Sequence, residues 1–310
     1  MSSPTPLSAW QLPSLLIPVH QYKKSSSSNP KLRSHFLPIV AYVYRNRFAI
    51  ASQIQRRFSH LLKSDRTTRR HLAELEALGY LAIVPTRGTS PLWPKTYFCT
   101  SAGARRLRRS LDARGKPGHV IRVDRSRSEG YSADHVLHEL LTTELLLNIW
   151  EFTQAESGFE LLQTERRSIP SQPGFAIEAR GRSGRLEPDA WFVYRQEGKG
   201  MMSCFCELDA GTMTKDQLKA KFWRYESWAT SCRGREFLVD LYRKHGAENP
   251  HATFRILAVA CDREQNNDHR RISVLRDAAQ PFPNTASRLR VAAASDLAHM
   301  DNVINLLGGR

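Results

Sequence analysis

Apolar residues recur along this chain in two different rhythms. Phe36, Ile39, Val40 and Val43 fall three and four apart, which predicts a helix over His35–Arg45. Ile54 and Phe58 share one face of a second short helix over Ala51–Phe58, and Leu72, Leu75 and Leu78 mark a third. Ser64 is placed to cap that third helix and Gly79 to end it. The rhythm then changes. Tyr80–Val84 and Lys95–Thr100 read as the arms of a β-hairpin with a turn-rich loop, and Thr100-Ser101-Ala102-Gly103 opens a further helix through Leu107 and Leu111.

After a stretch without periodicity, Ala133–Phe152 is apolar almost all round, as expected of a helix covered on more than one side. Three strand-like segments follow, Phe159–Arg166, Leu186–Tyr194 and Met201–Asp209. A helix over Thr214–Ala229 and a strand over Phe254–Cys261 complete an α-β-β-β-α-β order, which points to a mixed central sheet packed against helices. Residues 1–30 are rich in Ser and Pro and read as a flexible arm, and 114–130 (Arg-Gly-Lys-Pro-Gly, later Arg-Ser-Arg-Ser-Glu-Gly) as a linker. The expected organisation is therefore an arm, an N-terminal domain over 31–113, the linker, and a second domain over 131–310. The part beyond 262 is polar and then helical near Ala292–Leu307, with no chemistry assigned.

Composition sharpens this picture. The 310 residues carry a formal charge of +16, with 25% charged and 41% hydrophobic residues, which excludes an integral membrane protein and a wholly disordered chain. Five dispersed cysteines (Cys99, Cys204, Cys206, Cys232, Cys261) fit a reducing cytoplasm better than a disulfide framework, and no signal for secretion is evident. The charge is unevenly spread. Residues 1–125 hold 22 Lys+Arg against 5 Asp+Glu, a formal +17, whereas 126–310 hold 24 against 25, a formal −1. A confined positive region suggests a surface for a polyanion, with nucleic acid the leading partner and a merely solvated basic face the alternative.

Three helices followed by a hairpin resemble the bacterial winged helix-turn-helix DNA-binding domains over about residues 35–111, including Leu72-x-x-Leu75-x-x-Leu78-Gly79-Tyr80-Leu81. In that architecture the third helix enters the major groove of double-stranded DNA by its N-terminal residues. Here these include Arg66, Thr67, Arg69 and Arg70, with Arg56 and Arg57 of the preceding helix and Arg87 of the wing as backbone contacts.

In the second domain, Glu207 and Asp209 project from one face of a strand. If Asp189 pairs level with Glu207, three carboxylates converge, and an oxygen-rich cluster suits Mg or Mn. Solvated strand-end acids are the equal alternative. Pro188-Asp189-Ala190 followed by Glu207-x-Asp209 resembles the PD-(D/E)xK nuclease superfamily, with its restriction-endonuclease-like fold. Joined to a basic winged helix, it resembles the replication-relaxation family of bacteria and their plasmids, related to mobilisation relaxases. The matching residues are His138 and Glu144 in the first core helix, Glu165, Pro188-Asp189-Ala190, Glu207-x-Asp209-x-Gly211-Thr212 and Lys221-x-x-x-Tyr225.

The resemblance implies an α+β protein, a winged helix-turn-helix followed by an αβββαβ restriction-endonuclease-like domain, acting on DNA in the cytoplasm without a membrane. It implies a divalent metal on Asp189 and Glu207, with Glu165, Asp209, His138 and Glu144 around it. One departure stands out: Asp209 occupies the usual lysine position, and Lys221 of the following helix is the substitute. Two readings stay open, a metal-dependent nicking enzyme, and a non-catalytic DNA-binding accessory whose nuclease-like domain serves oligomerisation or replication and mobilisation partners.

Overall fold

The computed structural model describes residues 36–84, 94–113, 131–166, 175–179, 182–211, 213–260 and 268–298. Packing divides the chain into two units, Met1–Leu147 and Asn148–Arg310. The division falls inside a helix, α5 (Ala133–Ala155), rather than in the stretch 114–130, which lies outside the described residues.

The first unit runs α1 (Phe36–Asn46), β1 (Phe48–Ile50), α2 (Ala51–Arg57), α3 (Asp65–Ala77), β2 (Leu81–Ile83), β3 (Thr96–Cys99), α4 (Ser101–Asp112) and the first part of α5. The expected helices lie within a residue or two of their sequence-derived limits. Ser64 caps α3, its hydroxyl accepting from the Thr67 amide at 3.2 Å, and Gly79 ends the helix in the left-handed region at φ +68°, where a side chain is strained. The anticipated stripes bury together: Phe36, Ile39, Val40 and Val43 pack with Ile54, Phe58, Leu72, Leu75, Leu107 and Leu111. Each such side chain contributes about 1.5–3 kcal/mol by leaving water.

The hairpin β2–β3 gains a third strand that the sequence reading omitted. Phe48–Ile50 pairs antiparallel with Thr96–Phe98, so the sheet order is β1-β3-β2. Three residues between two helices are too short for period-two alternation to register.

The second unit holds the rest of α5, then β4 (Phe159–Arg166), β5 (Ala176–Ala179), β6 (Arg182–Arg185), β7 (Ala190–Gln196) and β8 (Gly200–Asp209). These are followed by α6 (Lys215–Thr230), α7 (Cys232–Lys244), β9 (Phe254–Ala260), α8 (Asp268–Ala279), α9 (Pro283–Arg288) and β10 (Leu289–Ala293). Five strands form one mixed sheet in the order β10-β9-β8-β7-β4, antiparallel from β4 to β8 and parallel from β8 to β10. Mixed α+β architecture was expected; the hairpin β5–β6, helices α7 to α9 and edge strand β10 were not. The strand expected from Leu186 begins at Ala190, because Pro188 has no N–H for a ladder and Leu186 instead bonds the Phe175 carbonyl at 2.8 Å.

Both faces of the sheet are buried. Trp191, Val193, Phe205, Ile256 and Ala258 pack with Leu218, Phe222, Tyr225 and Trp228 of α6 and Leu275 of α8. Cys204, Cys206, Phe192, Tyr194 and Leu257 belong to the alternate positions and are equally buried, so the two adjacent cysteines on β8 are core residues. Near-continuous apolar strands are what double coverage requires.

Candidate functional site

Helix α3 separates its residues cleanly. Thr68, His71, Leu72 and Leu75 are buried, whereas Arg66, Arg69 and Arg70 are exposed on its first two turns. Arg69 reaches Asp65 at 2.7 Å across one turn, a solvent-exposed pair of small energetic weight. Thr67 is tied into the helix cap, its hydroxyl 3.0 Å from that of Ser64. Arg87 lies outside the described residues.

Two of the other anticipated DNA contacts have different surroundings. Arg57 is buried, its guanidinium 5.6 Å from the Phe58 ring centre, and burial pulls it down to about 10. Arg56 is ion-paired with Glu144. Glu144, expected to support the acids of the second domain, accepts from Gln53 Nε2 at 3.0 Å and from Arg56 within the first unit.

Gln53 also donates to the Leu140 carbonyl at 3.1 Å and accepts from the Ile50 amide at 3.2 Å. Arg47 pairs with the buried Glu139 at 2.9 Å, and the Thr143 hydroxyl donates to the Phe48 carbonyl at 3.2 Å. Val136 and Leu140 add an apolar contact with Phe48 and Val84. The face of α5 that carries positions 136, 140 and 144 is thus fastened to β1 and α2. His138 sits half-buried on this same part of α5, its carbonyl accepting from the Thr142 hydroxyl at 2.8 Å.

In the second unit the acids converge as the alternation predicts. Ala190 stands opposite Cys206 and the Asp189 amide donates to the Cys206 carbonyl at 3.0 Å, which brings Asp189 level with Glu207. Asp189 Oδ2 accepts from the Leu208 amide at 2.9 Å and lies 3.6 Å from Lys221 Nζ. The same ammonium contacts Glu207 Oε2, and the Tyr225 hydroxyl donates to Glu207 Oε1 at 2.5 Å. The side chains of Asp189 and Glu207 are 5% and 4% exposed, that of Lys221 19%. Burial pushes the Glu207 carboxyl up to about 7 against the opposing pull of Lys221, and burial beside Glu207 raises the Tyr225 phenol well above its usual range.

Asp209 has a separate partner. Arg271 of α8 contacts both of its oxygens, Nη2 to Oδ1 at 2.9 Å and Nε to Oδ2, and Nη2 also donates to the Met213 carbonyl at 2.7 Å. The Gly211 amide adds a bond to Asp209 Oδ1 at 3.1 Å. Glu165 is half-buried on β4 opposite Trp191, within 3.5 Å of Gln163 Nε2. Sequence reasoning missed Arg271 and Gln53: neither stands in a motif, and Arg271 falls in the stretch beyond 262 read as polar.

A divalent cation needs several carboxylate or water oxygens around it. Here both oxygens of Asp209 are bound by Arg271, one oxygen of Glu207 accepts from Tyr225 while the other lies against Lys221, and among the described residues no group of three or more His, Cys, Asp or Glu is placed to hold a metal ion. With the side chains in these positions, the cluster does not fit Mg or Mn. The acids are instead held by protein cations, Lys221 against Asp189 and Glu207 and Arg271 against Asp209.

A basic helical unit combined with a mixed-sheet unit that carries buried acids defines an α+β protein of two parts. The family model for replication-relaxation matches residues 40–237, and the chain belongs to that family. A role in DNA replication or processing follows from that membership. No curated protein and no solved structure matches the chain. Among the described residues no helix is long and apolar enough to cross a membrane.

Proposed function

We propose that this protein binds duplex DNA through α3, in the manner of a winged helix, and that its second unit is a nuclease-like scaffold without catalytic activity. The observation that carries the first part is the segregation on α3: three arginines exposed over its first two turns, with a capped N-terminus and a buried stripe behind them. Guanidinium groups so placed contact phosphates or the O6 and N7 edge of guanine. The neutralisation of Glu207 by Lys221 and of Asp209 by Arg271 supports the second part.

Binding to a labelled duplex measured across a salt series tests the reading. Replacing Arg66, Arg69 and Arg70 by Gln is expected to lower the slope of log affinity against log salt by about 0.9 for each lost phosphate contact. An unchanged slope sinks it.

One observation favours a second reading, metal-dependent nicking, which would require these side chains to leave their present positions: Asp189 and Glu207 lie abreast with Lys221 against both. A nick in supercoiled DNA that appears only with Mg or Mn and disappears in Asp189→Ala would establish that reading over the scaffold.

A further inference from the structure

Helix α4 has a second arginine face that the DNA-binding reading of α3 does not use. Gly103, Ala104, Leu107 and Leu111 are buried, while Arg105, Arg108 and Arg109 are exposed on the opposite side. The helix has one acidic residue, Asp112, which lies 4.0 Å from Arg108 in an exposed pair. Arg105 and Arg109 stand one turn apart, about 6 Å along the axis. That interval is comparable to the rise of two phosphates along one strand of a duplex.

Two features argue against a purely structural origin. Cations near a helix C-terminus complement its dipole, which accounts for Arg109, but Arg105 lies in the second turn, where the dipole offers nothing. Like charges three and four residues apart repel one another, so this face weakens the helix that carries it.

The face is also held in place. The Thr100 hydroxyl caps α4 and donates to the Gly79 carbonyl at 2.5 Å, fixing the start of α4 to the C-terminal end of α3. Gly103 approaches the Tyr80 carbonyl so closely that a Cβ there would stand 2.4 Å from the oxygen. The start of α4 is thus anchored at the C-terminal end of α3, a helix of 13 residues and about 20 Å, opposite the end that carries Arg66, Arg69 and Arg70.

We infer that Arg105, Arg108 and Arg109 form a second phosphate-binding surface, which engages the nucleic-acid backbone outside the segment read by α3. This rests on the DNA-binding reading above. The surface recognises charge and not base sequence, and it contributes to affinity and salt dependence alone.

The test uses the full chain, a labelled 30-base-pair duplex and a NaCl series, with the triple variant R105Q/R108Q/R109Q beside wild type. The slope of log affinity against log salt is expected to fall by about 2.7, so that between 50 and 200 mM salt wild type loses about 40-fold more affinity than the variant. The charge-conserving variant R105K/R108K/R109K is expected to keep the wild-type slope, and thermal melts verify that both variants fold. Wild-type binding with an unchanged slope in the Gln variant overturns this inference and leaves the α3 reading intact. An equal loss in the Lys variant overturns it too, since the effect would then not be phosphate charge. Failure of wild type to bind any duplex removes the α3 reading and this one together.

Discussion

Arg271 holds both carboxylate oxygens of Asp209, across 62 positions of sequence, and fixes the Met213 carbonyl with the same guanidinium. Asp209 is 1% exposed, and Arg271 is the cation that faces it. Arg271→Met is expected to destabilise the protein by about 3–5 kcal/mol, because it strands a buried carboxylate. Adding Asp209→Asn should recover much of that loss, a non-additivity that urea unfolding of the two single variants and the double variant would measure. A near-zero effect of Arg271→Met would refute the pairing.

Glu207 gives the protein a pH dependence of definite sign. Its folded carboxyl is raised from 4.5 to about 7, so the folded state holds the proton more tightly than the unfolded chain. The stability this group contributes is full below about pH 4.5 and is lost as the pH climbs to about 7, roughly 3 kcal/mol in all. Glu207→Gln should flatten that part of the profile, which denaturant midpoints at pH 5 and pH 8 would compare.

Lys221 is the counter-charge for the same site. Lys221→Met removes the cation that holds Glu207 down, so at pH 8 the buried carboxyl must either stay ionised beside Asp189 or take up a proton, whereas at pH 5.5 it is protonated with or without Lys221. The variant is therefore expected to lose several kcal/mol at pH 8, within the range of about 3–5 for a broken buried pair, and clearly less at pH 5.5. Equal losses at the two pH values would contradict this account.

Glu144 is expected to act on the first unit. Glu144→Ala leaves Gln53, 2% exposed, without one acceptor and Arg56 without its carboxylate, at a cost of about 1–3 kcal/mol. A fragment ending at residue 147 should melt at a higher temperature than one ending at 131, and Glu144→Ala should lower the melting temperature of the longer fragment. No shift in that fragment would mean that the contact carries no energy.

Gly103→Ala tests the seat of α4. The added methyl would meet the Tyr80 carbonyl at 2.4 Å and Cys99 Sγ at 2.9 Å, and the cost of overpacking there is about 1–3 kcal/mol by thermal or urea unfolding.

Most helices and the principal strands were legible because each buries a stripe with its own period: Leu72 and Leu75 on α3, alternate residues on β8. The convergence of Asp189, Glu207 and Lys221 was legible too, since strand alternation and helix spacing fix which side chains share a face. What the sequence did not disclose depends on partners remote in the chain. Nothing around Arg271 marks it as the mate of Asp209, and nothing local to Glu144 says that its acceptor oxygens face Gln53 and Arg56. Arg57 misled for a related reason: a charged residue in a basic stretch reads as surface, yet burial behind Phe58 gives it the environment of a core residue.

The mixed sheet also sets an order in time. Glu207 meets Tyr225 across 18 residues, whereas Asp209 must wait for Arg271 across 62, a closure that carries about 1 kcal/mol more loop entropy. The antiparallel half, β4 to β8, forms from contiguous chain, while the parallel half needs β9 and β10 to return past intervening helices. Early in folding, Glu207 can therefore acquire its partner while Asp209 remains hydrated, so that of these two acids the aspartate in the lysine position is the later to leave water.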